Sequence, residues 1–101
     1  MSIHQTARYQ VNAEAVEKVK DAIATFVAYV AEHEPGTKLY AAWQEVEDPT
    51  RFIHLFIFED GAAQEIHSSS EAVQTFESVY APELVGGPVV FVDHVQVASN
   101  A

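Results

Sequence analysis

The hydrophobic pattern of the chain is strongest between residues 52 and 58, where six of the seven side chains are large and apolar. β-Branched and aromatic residues dominate this stretch, which predicts a β-strand. One predicted face carries Phe52, His54, Phe56 and Phe58, and the other carries Ile53, Leu55 and Ile57. A strand with one face in water would alternate apolar with polar residues, so we expect this strand to be covered on both sides.

The part of the chain before this central strand predicts a strand, a long helix and a second strand. Apolar and polar residues alternate over residues 3–11, and apolar residues recur at helical spacing over residues 13–33. The sequence Glu-Pro-Gly at 34–36 is expected to end the helix, with Glu34 exposed to solvent or, as the alternative, at the mouth of a ligand pocket. Residues 38–47 are predicted to form the second strand, and the short turn at 48–50 makes it an antiparallel neighbour of the central strand.

After the central strand, the pattern predicts two helical segments and a last strand. Asp60-Gly61 breaks the strand, and residues 62–67 can begin a helix that places His67 along an apolar edge. A run of three serines interrupts this helix, and Ser70 is a suitable N-cap for the next one. Glycine and proline at 86–88 are expected to close that helix before a strand at residues 89–97.

The order of these elements is βαββαβ, which predicts an α+β, ferredoxin-like fold with a four-stranded antiparallel sheet. The predicted strand order is 4-1-3-2, and the helices cover one face of the sheet. The other face is apolar on the central and last strands, and an exposed apolar patch of that size usually marks an interface. We therefore expect a homodimer in which two sheets pack face to face.

Length and charge narrow the class of protein and its partners. The 101 residues are expected to form a single domain, 1–101, with one core. A net charge of −10 without a basic cluster makes nucleic acid and anionic membranes poor partners. These charges favour a small aromatic or apolar ligand instead. There is no cysteine, no signal-peptide pattern and no membrane-length apolar run, so we expect a cytoplasmic protein.

His67 is the candidate catalytic residue. Imidazole titrates near neutral pH, so His67 could serve as a general base that removes a phenolic proton from an electron-rich aromatic ligand. The alternative is a structural histidine at a helix end, bonded to a backbone carbonyl or to the turn at Ser70.

Several aromatic and polar residues are candidates for contact with the ligand, because stacking surfaces suit a planar molecule. They are Trp43, Tyr40, Phe56, His54 and Tyr80. Each also has a structural interpretation as a core residue, and His54 in particular must find a hydrogen-bond partner if it is buried. The five histidines show no metal-binding spacing, so no metal site is expected.

Several motifs resemble the antibiotic biosynthesis monooxygenase domain of the dimeric α+β barrel superfamily. They are Glu-Pro-Gly after the first helix, the Asp48-Pro49 hairpin, the F-x-x-x-F-x-F strand and the following D-G-A-A-Q-E-I-H-S-S-S-E-A. The resemblance implies a barrel of two sheets, with a small pocket between each sheet and its own helices. It also implies that His67 is the functional histidine. Some members oxidise quinols or anthrones with O2 and neither metal nor flavin, and others degrade haem.

Haem degradation is disfavoured, because the haem-degrading members carry an asparagine on the first strand and this chain has none before Asn12.

Three functional hypotheses remain. The first hypothesis is a cofactor-independent monooxygenase that oxidises a quinol- or anthrone-type aromatic with His67 as base. The second is a non-catalytic dimeric module that binds a small ligand or acts as a scaffold. The third is an isomerase or cyclase in which His67 moves a proton without oxygen.

Overall fold

The computed structural model describes all 101 residues and contains four strands and three α-helices. The elements are β1 (Ile3–Val11), a 3-10 turn (Ala13–Ala15), α1 (Val16–His33), β2 (Thr37–Gln44), β3 (Arg51–Phe58), α2 (Gly61–Ser68), α3 (Glu71–Tyr80), a second 3-10 turn (Ala81–Glu83) and β4 (Leu84–His94). None of the helices is both long and apolar enough to cross a membrane.

The four strands form one antiparallel sheet in the order β2-β3-β1-β4, which confirms the predicted topology. β3 and β1 are the central strands, and β2 and β4 are the edges. The ferredoxin-like α+β fold is therefore confirmed. As predicted, the second helical region is divided, and Ser70 caps α3 by accepting a hydrogen bond from the Val73 amide at 3.0 Å.

The prediction for the last strand was wrong at both ends. β4 begins at Leu84, whereas residues 89–97 were expected, and it ends at His94. Gly86 and Gly87 have φ angles of +75° and +114°, and the pairing register with β1 shifts between Arg8 and Gln10. Glycine can adopt positive φ without strain, so these two residues bend the strand where they were expected to close a helix.

The main core lies between one face of the sheet and the helices. The apolar stripe of α1 packs onto this face through the buried residues Val19, Ile23, Phe26 and Val30. α3 contributes Phe76 and Tyr80, and β1 contributes Tyr9 and Val11. This arrangement follows from the helical spacing of apolar residues in both helices, because each helix must bury its apolar side.

The two faces of β3 have different environments. Phe52, His54, Phe56 and Phe58 are all buried beneath the helices, whereas Ile53, Leu55 and Ile57 are only half-buried on the opposite side. The register places further apolar residues on this opposite side, which we call the open face; the exposed ones are Leu39, Trp43, Val90 and Val92. Within one chain β3 is therefore covered on one side only.

Candidate functional site

A cavity of about 230 Å³ lies between the helix-covered face of the sheet and helices α2 and α3. Aromatic rings and two histidines form most of its wall; they are Tyr9, Phe26, Tyr40, His54, Phe56, His67, Phe76, Tyr80 and Phe91. A more open groove of about 510 Å³ lies against Arg8, Arg51 and the Gly86–Gly87 bend, and it contains no histidine. The more enclosed of the two, which also contains both histidines, is therefore the candidate site.

His67 is held at the cavity by a buried glutamate. Its Nδ1 lies 2.8 Å from Oε1 of Glu34, and both residues are almost completely buried, with exposed fractions of 6% and 4%. Helix α2 positions His67 in its last turn, and Asp60 caps the start of that helix by accepting a hydrogen bond from the Ala63 amide at 2.9 Å. Glu34 follows directly after α1. The expectation that Glu34 is exposed to solvent was wrong.

This pairing determines which nitrogen of His67 can react. A carboxylate only accepts hydrogen bonds, so Nδ1 of the neutral ring carries the proton and Nε2 has a free lone pair. Nε2 makes no hydrogen bond within the protein, and it is not sealed off from the cavity that His67 lines. Phe26 stacks on the ring with centroids 5.2 Å apart, and Phe56 meets it edge-on at 4.9 Å. The ring is therefore fixed in orientation, and its Nε2 is left without a hydrogen-bond partner.

Glu34 is unusual because only one of its two oxygens is satisfied. Oε1 accepts from His67 and also from the Thr37 hydroxyl at 3.1 Å. Oε2 is buried and has no partner. A buried carboxylate with an unpaired oxygen destabilises a fold, and such costs are characteristic of functional sites.

His54 lies in the same cavity between two tyrosines. Tyr9 Oη is 2.7 Å from its Nε2, and Tyr40 Oη is 2.8 Å from its Nδ1. Burial, with a smaller contribution from nearby His67, lowers the pKa of His54 from 6.5 to about 4. His54 is therefore neutral at pH 7, and both of its ring nitrogens are satisfied, as expected for a buried histidine.

The three tyrosines at the cavity keep their protons at neutral pH. Burial raises the pKa of Tyr9 and of Tyr40, and neighbouring ionisable groups raise both further. Burial and then Glu77 raise the pKa of Tyr80. Neutral phenols can donate hydrogen bonds, so the cavity combines His67, whose Nε2 has no partner, with hydroxyl groups that are hydrogen-bond donors.

The structure brings together five of the six predicted site residues. His67, His54, Tyr40, Phe56 and Tyr80 all line the cavity. Trp43 does not line it: its side chain lies on the open face, opposite Ile53, and is 56% exposed. Successive strand residues point to opposite faces, so Tyr40 and Trp43, three positions apart, cannot share one. The expectation that Trp43 shapes the pocket of its own chain is corrected accordingly.

Two site residues were missed by the sequence reasoning, and they differ in how they could have been found. Tyr9 shares its face with Phe52, its partner across β1 and β3, so strand alternation and the predicted register could have placed it beneath the helices. Glu34 gives no such signal, because an acid before Pro-Gly is normally exposed. The structure groups no three histidine, aspartate or glutamate side chains closely enough to hold a metal ion.

Comparison with known proteins agrees with the fold. The family model described as antibiotic biosynthesis monooxygenase matches residues 2–78. A proposed antibiotic biosynthesis monooxygenase from Bacteroides thetaiotaomicron superposes with a TM-score of 0.89 at 17% identity, covering 99% of this chain and 93% of that one. No curated protein sequence matches the chain significantly.

Two further solved structures are similar. A proposed antibiotic biosynthesis monooxygenase from Nitrosomonas europaea has a TM-score of 0.86 at 19% identity, covering 95% of this chain and 90% of that one. A third proposed antibiotic biosynthesis monooxygenase, from Caulobacter crescentus, has a TM-score of 0.82 at 17% identity, covering 94% of this chain and 91% of that one. At these identities the structures establish the fold. The family match covers well over half of the sequence, so the chain belongs to the antibiotic biosynthesis monooxygenase family.

Proposed function

We propose that this protein is a monooxygenase that oxidises a small, electron-rich aromatic of the quinol or anthrone type with O2. The observation that carries the proposal is the buried Glu34–His67 pair, which leaves Nε2 of His67 as a base at an aromatic cavity. A carboxylate behind the imidazole fixes its tautomer and stabilises the imidazolium that forms when it accepts a proton. Membership of the family supports the reaction class.

The proposed reaction begins when Nε2 of His67 accepts a proton from the hydroxyl or activated C–H group of the substrate. The anion gives one electron to O2, and the substrate radical and superoxide combine to form a C–O bond. Protonated His67 returns its proton to the resulting peroxide. Cleavage of the O–O bond, with loss of a second substrate proton, then gives a carbonyl group and water.

The balance of this reaction needs no further reactant. The substrate loses two hydrogens and gains one oxygen atom, and the other oxygen atom leaves as water. All four electrons that reduce O2 come from the substrate, so neither a flavin nor an external reductant is required, and we propose that no cofactor takes part. The apolar wall suits this chemistry because it protects the radical pair from water.

The size of the cavity bears on the choice of substrate. Drug-sized ligands occupy pockets of roughly 300–1,000 Å³, whereas this cavity holds about 230 Å³. We therefore expect a quinol with one or two rings to fit better than a three-ring anthrone. Tyr40, Phe56 and Tyr80 are proposed to contact its ring, together with His54.

Oxygen uptake with a panel of hydroquinones, naphthohydroquinones and anthrones tests the proposal. Replacing His67 with alanine should lower the rate with an active substrate by roughly 10²-fold or more, because proton transfer contributes about 10²–10⁴-fold. The matched control is His33→Ala, because His33 is a surface histidine that also lies near a glutamate, Glu32. This variant should retain the wild-type rate.

Equal oxygen uptake by wild type and His67→Ala would contradict the proposal. Binding of the panel without any oxygen uptake would instead favour the non-catalytic ligand-binding module. Turnover under strictly anaerobic conditions would favour the isomerase or cyclase, since that reaction moves a proton without consuming O2.

A further inference from the structure

The hydrogen-bonded chain Tyr9–His54–Tyr40 is not used by the reaction proposed above, although all three residues line its cavity. We infer that this chain forms a subsite for an oxygen atom of the ligand, with the Tyr40 hydroxyl as the donor. Tyr9 and His54 act as positioning residues that leave the Tyr40 proton free. The place of this subsite in a reaction rests on the proposed monooxygenase function, but the subsite itself does not.

The number of protons shared among Tyr9, His54 and Tyr40 leads to this inference. A neutral imidazole has one N–H donor and one nitrogen acceptor. Both nitrogens of His54 face a tyrosine hydroxyl, so one tyrosine donates to the ring and the other accepts from it. The tyrosine that accepts keeps its own proton available. Whichever tautomer His54 adopts, one phenolic O–H of the chain is free to donate elsewhere.

Burial indicates which tyrosine keeps the free proton. Tyr9 is only 8% exposed, its ring stacks between Phe52 and Tyr80, and its hydroxyl has no partner other than His54. Tyr40 is less buried and lies on the edge strand β2. An unpaired donor costs more in the more buried position. Tyr9 therefore donates to Nε2 of His54, and Nδ1–H of His54 donates to Tyr40.

This arrangement places the free donor beside the proposed base. The ring of Tyr40 meets the ring of His67 edge-on, with centroids 6.0 Å apart. A ligand in the cavity can therefore present one group to Nε2 of His67 and an oxygen to the Tyr40 hydroxyl. When the base removes a proton from a conjugated ligand, negative charge develops on that oxygen, where a fixed donor stabilises it. The subsite selects aromatic ligands that carry a hydroxyl or carbonyl group conjugated with the reacting position.

A pair of matched ligands tests the subsite without any turnover. We expect wild-type protein to bind 2-naphthol roughly tenfold more tightly than naphthalene, as one buried hydrogen bond allows. Tyr40→Phe should reduce this ratio to within about twofold, because it removes only the hydroxyl. Tyr29→Phe is the control, since Tyr29 is a partly buried tyrosine that packs against His33 and does not line the cavity, and it should retain the wild-type ratio. An unchanged ratio in Tyr40→Phe would overturn the inference.

The tautomer of His54 is a second, spectroscopic test that loss of stability alone would not imitate. Long-range ¹H–¹⁵N correlation spectra of the wild-type protein distinguish an imidazole protonated on Nδ1 from one protonated on Nε2. We expect His54 to be protonated on Nδ1. Protonation on Nε2 would overturn the inference, because Tyr40 would then give its proton to His54.

The two proposals can fail separately. If no ligand is oxidised but Tyr40→Phe abolishes the preference for 2-naphthol, the subsite stands and the monooxygenase function falls. If oxygen uptake depends on His67, Tyr40→Phe should also lower kcat/KM by roughly 10²-fold, the usual effect of losing one oxyanion donor. Uptake that depends on His67 and is unaffected by Tyr40→Phe would overturn the subsite alone.

Discussion

Two histidines share the cavity, and their partners give them opposite properties. His67 is backed by the carboxylate of Glu34, which fixes the orientation and the tautomer of its ring. His54 lies between two phenols, and burial keeps it neutral. The amino-acid type alone does not distinguish these roles, because each depends on a hydrogen-bond partner that is remote in sequence. The role of a histidine here is set by its neighbours.

Replacing Glu34 with glutamine should separate function from stability. The glutamine can still accept a hydrogen bond from Nδ1 of His67, but it cannot stabilise the imidazolium by charge, so we expect kcat to fall by roughly 10²-fold or more. The wild-type carboxylate is buried with one unpaired oxygen, so the free energy of unfolding should stay within about 1 kcal/mol or rise. Oxygen uptake and urea unfolding measure the two quantities.

Glu32→Gln is the control for this substitution, because Glu32 is an exposed acid on the same stretch of chain. It should leave both the rate and the stability close to wild type. A wild-type rate in Glu34→Gln would contradict a role of the carboxylate in the reaction.

The buried state of His54 should make the protein sensitive to mild acid. Its folded-state pKa of about 4 lies below the unfolded value of 6.5. The unfolded chain therefore binds more protons between these two pH values, and stability is full above pH 6.5 and decreases as the pH falls toward 4. Integrating a slope of about 1.4 kcal/mol per pH unit over this window gives a loss of about 3 kcal/mol from His54.

Urea unfolding of wild type and His54→Gln across this pH range measures the effect. The difference in free energy of unfolding between the two proteins should change by about 3 kcal/mol over this window. Taking the difference cancels the contributions of the other acids. Tyr9 and Tyr40 stay protonated throughout the window and do not contribute. Parallel stability curves would show that His54 titrates with its ordinary pKa.

At the level of the element, the short helix α2 controls the position of His67. It packs closely against the loop that follows α1, where Gly36 lies beside Ala63. A Cβ atom on Gly36 would lie 2.6 Å from the Cβ of Ala63. Glycine is therefore required here by space and not by backbone conformation, since its φ angle is not among the positive ones.

Gly36→Ala should push α2 away from this loop. We expect the free energy of unfolding to fall by about 1–3 kcal/mol, as in other overpacked sites, and oxygen uptake to fall with it because His67 moves. Gly61→Ala is a matched control at the start of the same helix, where nothing lies within 4 Å. That variant should be unchanged, or more stable by up to about 1 kcal/mol. Equal stability of the two variants would show that the loop can adjust.

The elements themselves were largely predictable, because periodicity reports burial directly. The stripe of α1 and the doubly apolar β3 each indicated their structure, and the short connections fixed the topology. The start of β4 was not predictable, since Gly86 and Gly87 usually signal a turn. Glu34 shows which part of the site the sequence does not predict. Its burial depends on α2, which carries His67, packing against the loop at Glu34, 33 positions earlier in the sequence. Trp43 was misplaced because its position was judged by residue type and not by strand parity.

At the level of the whole molecule, the open face requires an explanation. It carries apolar residues from β2, β3 and β4, and Trp43 is more than half exposed. Apolar patches on this scale mark interaction surfaces, and a flat sheet face is self-complementary under two-fold symmetry. We therefore propose a homodimer in which two open faces pack together.

Trp43→Glu should prevent this association. We expect light scattering to give twice the 11.1 kDa chain mass for wild type and the single-chain mass for the variant. The far-UV circular dichroism should be unchanged, because Trp43 is outside the core. Ile66→Glu is the control: it places a charge at an exposed apolar residue of α2, and it should leave the mass at the wild-type value. A wild-type protein that scatters as a single chain would contradict the proposed dimer.

The cavity and the open face lie on opposite sides of the same sheet. In a dimer joined through the open faces, both sheets would lie between the two cavities. The cavities would then be on opposite sides of the dimer. A ligand in one cavity could not touch the ligand in the other cavity or block the entrance to that cavity. Each Glu34–His67 pair would lie within one chain. Saturation with ligand should then be hyperbolic, with a Hill coefficient of about 1, and each half of the assembly should turn over as an independent catalyst.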